Sequence, residues 1–355
     1  MSQIICTMNN RYGIIMAGGV GSRFWPESTA EKPKQFLDLT GTGKSFIRQT
    51  FDRLIKIIPA HQIFILTNER YRELIKQQLP QISDNQIIAE PVMRNTAPAI
   101  LYAAKKIKNL NPDALMLVAP SDHYIANEEK FIENVQTAFD YVARHDHLLT
   151  LGIVPNSPNT GYGYIQYDKQ DDKRVKKVLK FTEKPDLVTA QKFLAEGNYL
   201  WNAGIFVWNV KTILFAFQRY LPRMFNLMSP RGKYYNTPAE KDFIEMAFPR
   251  LKNISIDYGI LEKSNNVYVL PADFVWNDLG AWNAIYEQLK TQNDENVTIN
   301  SKLWSDNSRG NLIKTNNKKV VLKDLNNYAI IDTPEVLMII PRKDDQKVKE
   351  YVDKF

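Results

Sequence analysis

Up to about residue 155 the chain alternates between two hydrophobic periods. Tyr12–Ala17 is a short apolar run ending in glycines, the pattern of a buried parallel strand. Ile47, Thr50, Phe51, Leu54, Ile55 and Ile58 then fall on one helical stripe closed by Pro59. Strand-like runs return at Ile63–Leu66, Gln86–Ala89, Ala114–Ala119 and Leu148–Val154, separated by helical periods at Arg70–Leu79, Thr96–Ile107 and Glu128–Arg144. This rhythm predicts an α/β fold, a mostly parallel sheet flanked by helices on both faces. Ligands on such sheets bind beyond the carboxyl ends of the strands, so chemistry is expected just after each strand.

From there the pattern loosens. Asn156–Gly163 is rich in Pro, Asn and Gly and reads as a loop. Tyr164–Tyr167 and Val175–Phe181 read as paired strands, Ile205–Trp208 as another, and Thr212–Tyr220 and Ala239–Phe248 as aromatic-rich helices. After Asn293 come short β-prone runs, Asn311–Lys314, Lys319–Leu322, Tyr328–Ile331 and Val336–Ile340, separated by Asn, Asp and Ser turns. They predict a small all-β C-terminal domain.

Composition changes this picture mainly by exclusion. A chain of 355 residues suggests about two domains. With 44% hydrophobic and 24% charged residues, disordered and fibrous classes are out. A single cysteine, Cys6, excludes a disulfide framework and any multi-cysteine metal site. Met1–Asn10 does not read as a secretory signal, and no segment approaches the roughly 20 apolar residues of a membrane span. The expectation is a cytoplasmic protein without a membrane partner. The net charge of +7 comes from basic residues spread along the chain. Small anionic ligands are therefore expected rather than nucleic acid.

The strongest local signal runs from Met16 to Pro26, Met-Ala-Gly-Gly-Val-Gly-Ser-Arg-Phe-Trp-Pro, and on to Lys32-Pro-Lys-Gln35. Glycines after a strand leave backbone N–H groups open to phosphate, and Arg23 and Lys34 supply positive charge. It is not a Rossmann fingerprint, because Phe24 stands where the third glycine belongs. Nor is Gly41-Thr-Gly-Lys-Ser45 a P-loop, since Asp38 occupies the position of its first glycine; a turn leading into a helix is expected there.

Gly18-Gly-Val-Gly-Ser-Arg23 followed by Lys32-Pro-Lys-Gln-Phe36 resembles the signature of sugar-1-phosphate nucleotidylyltransferases. Glu90-Pro91 with Arg94–Ile100 resembles the purine-side motif of the mannose-1-phosphate guanylyltransferases, and Pro120-Ser-Asp-His123 their metal motif. Gly161–Tyr164, Phe181–Pro185, Trp201–Gly204 and Trp276–Gly280 resemble their sugar-side motifs, so the resemblance covers about residues 11 to 345. It implies a Rossmann-like, nucleotidyltransferase type A-like catalytic domain over about 1–290, with a nucleotide half to about 155 and a sugar half beyond, and a β-rich domain over 291–355. The implied reaction joins GTP and α-D-mannose 1-phosphate to give GDP-mannose and pyrophosphate with Mg²⁺.

The same resemblance places Ala17, Gly18, Gly19, Gly21, Arg23 and Lys34 on the triphosphate, Glu90, Asn95, Thr96 and Ala97 on the base, and Gly163, Glu183, Lys184, Asn202 and Asp278 on the sugar phosphate. Arg23, Lys34 and Asp122 become the catalytic residues, with Asp122 also on the nucleotide and Asp122 and Asp278 the metal ligands. Residue by residue, plainer readings stay open: turn or helix-cap roles for Asp122 and Asp278, an N-cap for Asn95, and a surface ion pair, a turn and a solvated lysine for Glu183, Asn202 and Lys184. Only four histidines are present, and no Ser, His and Asp arrangement emerges. That suits a sugar phosphate nucleophile, which is already anionic and needs positioning more than a general base. A related hexose or heptose 1-phosphate as substrate, and a non-catalytic nucleotide-sugar sensor, are the rival readings. A homodimer is left open, and an appended isomerase domain is not expected.

Overall fold

A computed structural model describes residues 10–19, 21–230 and 233–352. Cys6, Val20 and the Met1–Asn10 segment short of Asn10 lie outside the described residues. In chain order the strands are β1 (Arg11–Ala17), β2 (Ile63–Asn68), β3 (Ile87–Glu90), β4 (Leu115–Pro120), β5 (Tyr124–Ala126), β6 (Leu148–Ile153), β7 (Tyr164–Tyr167), β8 (Lys176–Thr182), β9 (Tyr199–Asn209), β10 (Val267–Pro271) and β11 (Val275–Asn277). Then follow β12 (Val297–Ile299), β13 (Lys302–Asp306), β14 (Leu312–Lys314), β15 (Lys319–Lys323), β16 (Tyr328–Asp332) and β17 (Leu337–Pro341). The chain divides into two compact units. The first runs to Gly18 and includes Phe51–Pro120 and Ile125–Trp276; the second comprises Gly19–Thr50, Ser121–Tyr124 and the described residues from Asn277 on.

The first unit is built on a nine-stranded sheet in the order β3-β2-β1-β4-β9-β6-β10-β8-β7. β1 is parallel to β2 and β4, β2 to β3, and β10 to β6. β9 runs antiparallel to β4, β6 and β7, and β8 antiparallel to β10 and β7. All strands of this sheet but β9 and β8 therefore point one way, as the strand–helix rhythm predicts. Ile14, Ile15, Leu117 and Val118 are fully buried because helices cover both faces, which is why β1 and β4 read as continuous apolar runs. Each such side chain contributes roughly 1.5–3 kcal/mol on burial. The helix Thr96–Leu110 joins this core through Ala97, Ala99, Ala103 and Ala104, small residues that let it approach closely.

Two elements of this unit were not visible in the pattern. β9 is longer than its apolar segment Ile205–Trp208 and takes in Trp201, Asn202, Ala203 and Gly204. The register of β6 against β9 shifts between Thr150 and Gly152, and such irregularities re-aim the side chains beside them. The helix Leu187–Glu196, capped by Asp186 through Thr189 N–H, also escaped notice because few of its residues are buried.

The second unit gathers Phe24, Leu37, Phe46 and the helix Trp282–Leu289 against the strand-rich C-terminal region. There β12, β14 and β16 are parallel and β17 closes the sheet antiparallel, while β13 pairs in parallel with β15. Parallel rungs this short need tight corners, and Asn300, Asn307, Asn317, Asp324 and Asn327 adopt the positive φ those corners require. The buried Asn311 amide donates to Leu325 O and Asn296 Oδ1, so the interior polar group is satisfied. No helix among the described residues is long and apolar enough to cross a membrane.

Candidate active site

Of the residues expected on phosphate and metal, Gly19, Gly21, Arg23, Lys34, Asp122 and Asp278 lie within the second unit. Gly21 sits at φ 59°, and a Cβ there would fall 2.5 Å from Lys34 Cβ, so conformation and space both demand glycine. That close approach packs Lys34 inward. Its buried ammonium lies 3.1 Å from Asp122 Oδ2 and donates to Asp278 O at 2.6 Å. The rings of Phe24 and Phe46, 5.5 and 5.4 Å away, add a π-face environment to the same cation. Gln35 ties the glycine turn down by donating to Gly19 O at 3.0 Å. Arg23, Lys34, Asp122, His123, Asp278 and Lys349 line one cavity of about 320 Å³. Burial alone would raise the Asp122 carboxyl, but the Lys34 ammonium, with His123 and a hydrogen bond, outweighs it and holds the group below its ordinary range.

The helix-cap readings of the two aspartates do not survive. The helix Trp282–Leu289 has Ala281 at its N-cap without a side-chain cap, and its Asn283 N–H is taken by Asp345 instead. Asn127, not Asp122, caps the helix Glu128–Val142. Gly41–Ser45 is a turn, as expected, and its chemistry explains the false signal. Asp38 accepts the N–H groups of Thr40, Gly41, Thr42 and Gly43 at 2.7–3.2 Å, so the loop's own carboxylate fills the place a phosphate would take.

The base-side candidates lie in the first unit. Glu90 ends β3 with its carboxyl buried, its Oε1 without a hydrogen-bond partner and its Oε2 3.9 Å from where a Cβ on Gly18 would stand. Burial pushes this carboxyl up to about 8. Asn95, at φ 66°, accepts Thr96 N–H at 2.8 Å, so the N-cap reading holds. Thr96 Oγ1 accepts Ile256 N–H and Ala97 N–H donates to Ile254 O, which commits those groups to tying down the 254–256 segment. Ala17 O, at the end of β1, accepts from Thr67.

The sugar-side candidates form a second cluster in this unit. Asn202 N–H donates to Gly163 O at 2.8 Å, and a Cβ on Gly163 would fall 2.5 Å from Glu183 Oε2, so the missing side chain makes room for that carboxylate. Glu183 lies 3.2 Å from the exposed Lys184 ammonium, and its N–H donates to Glu262. Asn202 also donates to Asp257 Oδ1 at 3.1 Å. Tyr162 meets Trp201 and Trp276 edge-on at 5.0 and 5.1 Å. Asp257 and Glu262 were missed from the sequence, whereas Tyr162, Trp201 and Trp276 fall inside three of its sugar-side motifs without having been singled out there. The available signal was Ser255-Ile-Asp257, polar residues interrupting an apolar stretch in the manner of Ser121-Asp122.

A glycine turn after a strand, a buried lysine held on an aspartate, and a separate cluster of carboxyls and aromatics, all on an α/β framework, point to one class. The chain belongs to the nucleotidyl transferase family, whose model matches residues 12–295. Within that family its relatives place it among the mannose-1-phosphate guanylyltransferases. It is 36% identical over 348 residues to the mannose-1-phosphate guanylyltransferase of Klebsiella pneumoniae, spanning 96% of this chain and 73% of that protein. An Escherichia coli mannose-1-phosphate guanylyltransferase matches with the same identity and coverage. A solved structure from Thermus thermophilus, described as a mannose-1-phosphate geranyltransferase, superposes with a TM-score of 0.87 at 26% identity, covering 97% of this chain and 99% of that one.

Proposed function

We propose that this protein transfers a guanylyl group from GTP to α-D-mannose 1-phosphate, releasing GDP-mannose and pyrophosphate. The observation that carries this reading is the cavity where Gly21 packs Lys34 against Asp122 and Asp278, on a chain whose relatives are mannose-1-phosphate guanylyltransferases. A phosphate oxygen of the sugar phosphate attacks the α-phosphorus of GTP. The new O–P bond forms as the bond to the β-phosphate bridging oxygen breaks, and that electron pair leaves with pyrophosphate. No proton need be removed from the nucleophile, which suits a cavity of cations and carboxylates without a His-centred triad.

Amides of Gly18, Gly19 and Gly21 bind the triphosphate, and Arg23 and Lys34 neutralise charge on the leaving group. Glu90, buried and with an open oxygen, suits the N–H donors of guanine, and Asn95 stands beside it in the motif. Glu183, Asn202 and Lys184 bind the sugar phosphate. Asp122 and Asp278 would hold Mg²⁺: both are hard oxygen donors lining one cavity, and a cation, the Lys34 ammonium, already rests against Asp122. Among the described residues no group of three or more His, Cys, Asp or Glu is placed to hold a metal; an ion between these two aspartates would complete its shell with water and phosphate. When bound, Mg²⁺ supplies neutralisation of phosphate charge.

The same reading takes the chain as a Rossmann-like, type A-like nucleotidyltransferase domain over about 1–290 with a small all-β domain after it. It works in the cytoplasm, on small molecules rather than nucleic acid. Pyrophosphate release from GTP, ATP and UTP with mannose 1-phosphate tests it. GTP is expected to lead by a wide margin, and equal rates with ATP would remove Glu90 from base selection. A panel of hexose and heptose 1-phosphates separates mannose from its rivals, and absence of turnover with all of them would leave the sensor reading.

A further inference from the structure

The Asn202 amide is fixed in one orientation by its neighbours. Its oxygen receives Gly204 N–H at 3.1 Å and the Thr150 hydroxyl at 3.0 Å. A backbone N–H can only donate, so Oδ1 must face Gly204 and Nδ2 must face Asp257, 3.1 Å away. One of the two amide N–H bonds is then committed to Asp257, while the oxygen holds Gly204 N–H and shares the single Thr150 hydroxyl proton with Ile205 O and Leu151 O. What remains for a ligand is a single N–H donor whose direction depends on Asp257. Asp257 also faces Glu183, whose carboxylate lies over Gly163.

We propose that Asp257 is a positioning residue of the sugar subsite, orienting the Asn202 amide so that its remaining N–H donor meets the sugar phosphate beside the Glu183 carboxyl that lies over Gly163. This rests on the sugar-side reading of Glu183 and Asn202 given above. The charged groups facing Asp257 are Glu183 and Lys184, and Ser255 and its own backbone N–H are hydrogen-bonded to it. Lys184 is also paired with Glu183 at 3.2 Å, and Glu183 N–H donates to a further carboxylate, Glu262. One exposed ammonium thus acts on both Glu183 and Asp257. Burial, and then the charge of Glu183, push Asp257 up to about 7, while Lys184 and the hydrogen bonds act the other way. Below that pH Asp257 is a neutral acid: one oxygen accepts from Asn202 and the hydroxyl is a donor for a sugar oxygen. Above it two like charges face each other beside an anionic substrate, and binding weakens.

The isosteric amide separates this from a purely structural role. Asp257→Asn keeps an acceptor for Asn202 and a fixed donor, but it cannot ionise. Steady-state kinetics of wild type, Asp257→Asn and Asp257→Ala, measured from about pH 6.5 to about pH 8.5, give the test. For the wild type KM for mannose 1-phosphate is expected to rise roughly 25-fold over that range, as the protonated, binding-competent fraction falls. In Asp257→Asn that rise should disappear, since the substrate's own second ionisation only enriches its dianion as pH climbs, with KM for GTP unchanged and near-wild-type KM at the acid end. Asp257→Ala should raise KM for the sugar phosphate about tenfold or more at every pH with KM for GTP unchanged. A wild-type slope in Asp257→Asn overturns the proposal, as does an Asp257→Ala variant with normal sugar KM. Should Asp257→Ala fail to fold, the slope of Asp257→Asn decides alone. A wild type that turns over another hexose 1-phosphate instead corrects the substrate and leaves Asp257 to be read on that sugar; a wild type inactive on all of them overturns both readings.

Discussion

Two clusters of acidic residues in this molecule meet the same difficulty in different ways. In the second unit Asp122 has a buried lysine at 3.1 Å, and that cation holds its carboxyl ionised. In the first, burial and then the charge of Glu183 push Asp257 up to about 7, and the nearby ammonium is exposed and already engaged. Glu90 resembles the second case in simpler form: no charge compensates its burial, and it rises to about 8. The lesson is one of matching. A buried carboxyl with a neighbouring cation stays charged, the state a divalent cation would need, whereas one without such a neighbour is pushed toward its neutral form.

The largest effect expected from breaking this pattern is at a buried carboxylate outside both clusters. Glu240 is buried against Lys106 at 2.7 Å, with Tyr102 donating to it at 2.6 Å. Glu240→Ala should cost about 3–5 kcal/mol, because the lysine is left buried and unpaired; denaturant unfolding measures it. Next comes Lys34→Ala, which should lower kcat on the order of 10²-fold with the fold intact. A variant with near-normal turnover removes Lys34 from the chemistry.

Glu90→Gln sharpens the proton-held side. A carboxyl whose pKa is raised in the folded state binds protons that the unfolded chain releases, so wild-type stability falls as pH climbs from the ordinary carboxylate range toward about 8. The loss approaches about 1.4 kcal/mol per pH unit at most for one group. Glu90→Gln should flatten that part of the profile, measured by unfolding across pH, and an unchanged slope shows that Glu90 is ionised in the native protein. The smallest effect is expected from Gly163→Ala. Its methyl would stand 2.5 Å from Glu183 Oε2, so the carboxylate must move. KM for the sugar phosphate should rise about fivefold while KM for GTP stays put.

Much of this was legible in the chain itself. The strands β1 to β4 announce themselves because both faces are buried and their residues are uniformly apolar. Gly21 and Lys34 were visible because a glycine that admits a lysine leaves a pattern of types and spacing. Asp257 was not visible, since its role depends on β9 and the Asp257–Leu261 turn being brought together across residues far apart in sequence. β9 itself was half hidden, because Asn202 and Gly204 break its apolar alternation at the point where it carries a candidate binding group. The Gly41–Ser45 decoy failed for a reason legible in advance, Asp38, whose carboxylate occupies the loop.

The central claim is that Asp122 and Asp278 act together on a cation that serves the phosphates. The most direct measurement is the Mg²⁺ dependence of pyrophosphate release in the wild type, Asp122→Asn and Asp278→Asn, with both substrates saturating. Each substitution keeps hydrogen-bonding shape while removing one ligand charge. Both should raise the half-saturating Mg²⁺ concentration by about tenfold or more and lower the rate at saturating metal. Wild-type metal dependence in either variant would contradict it.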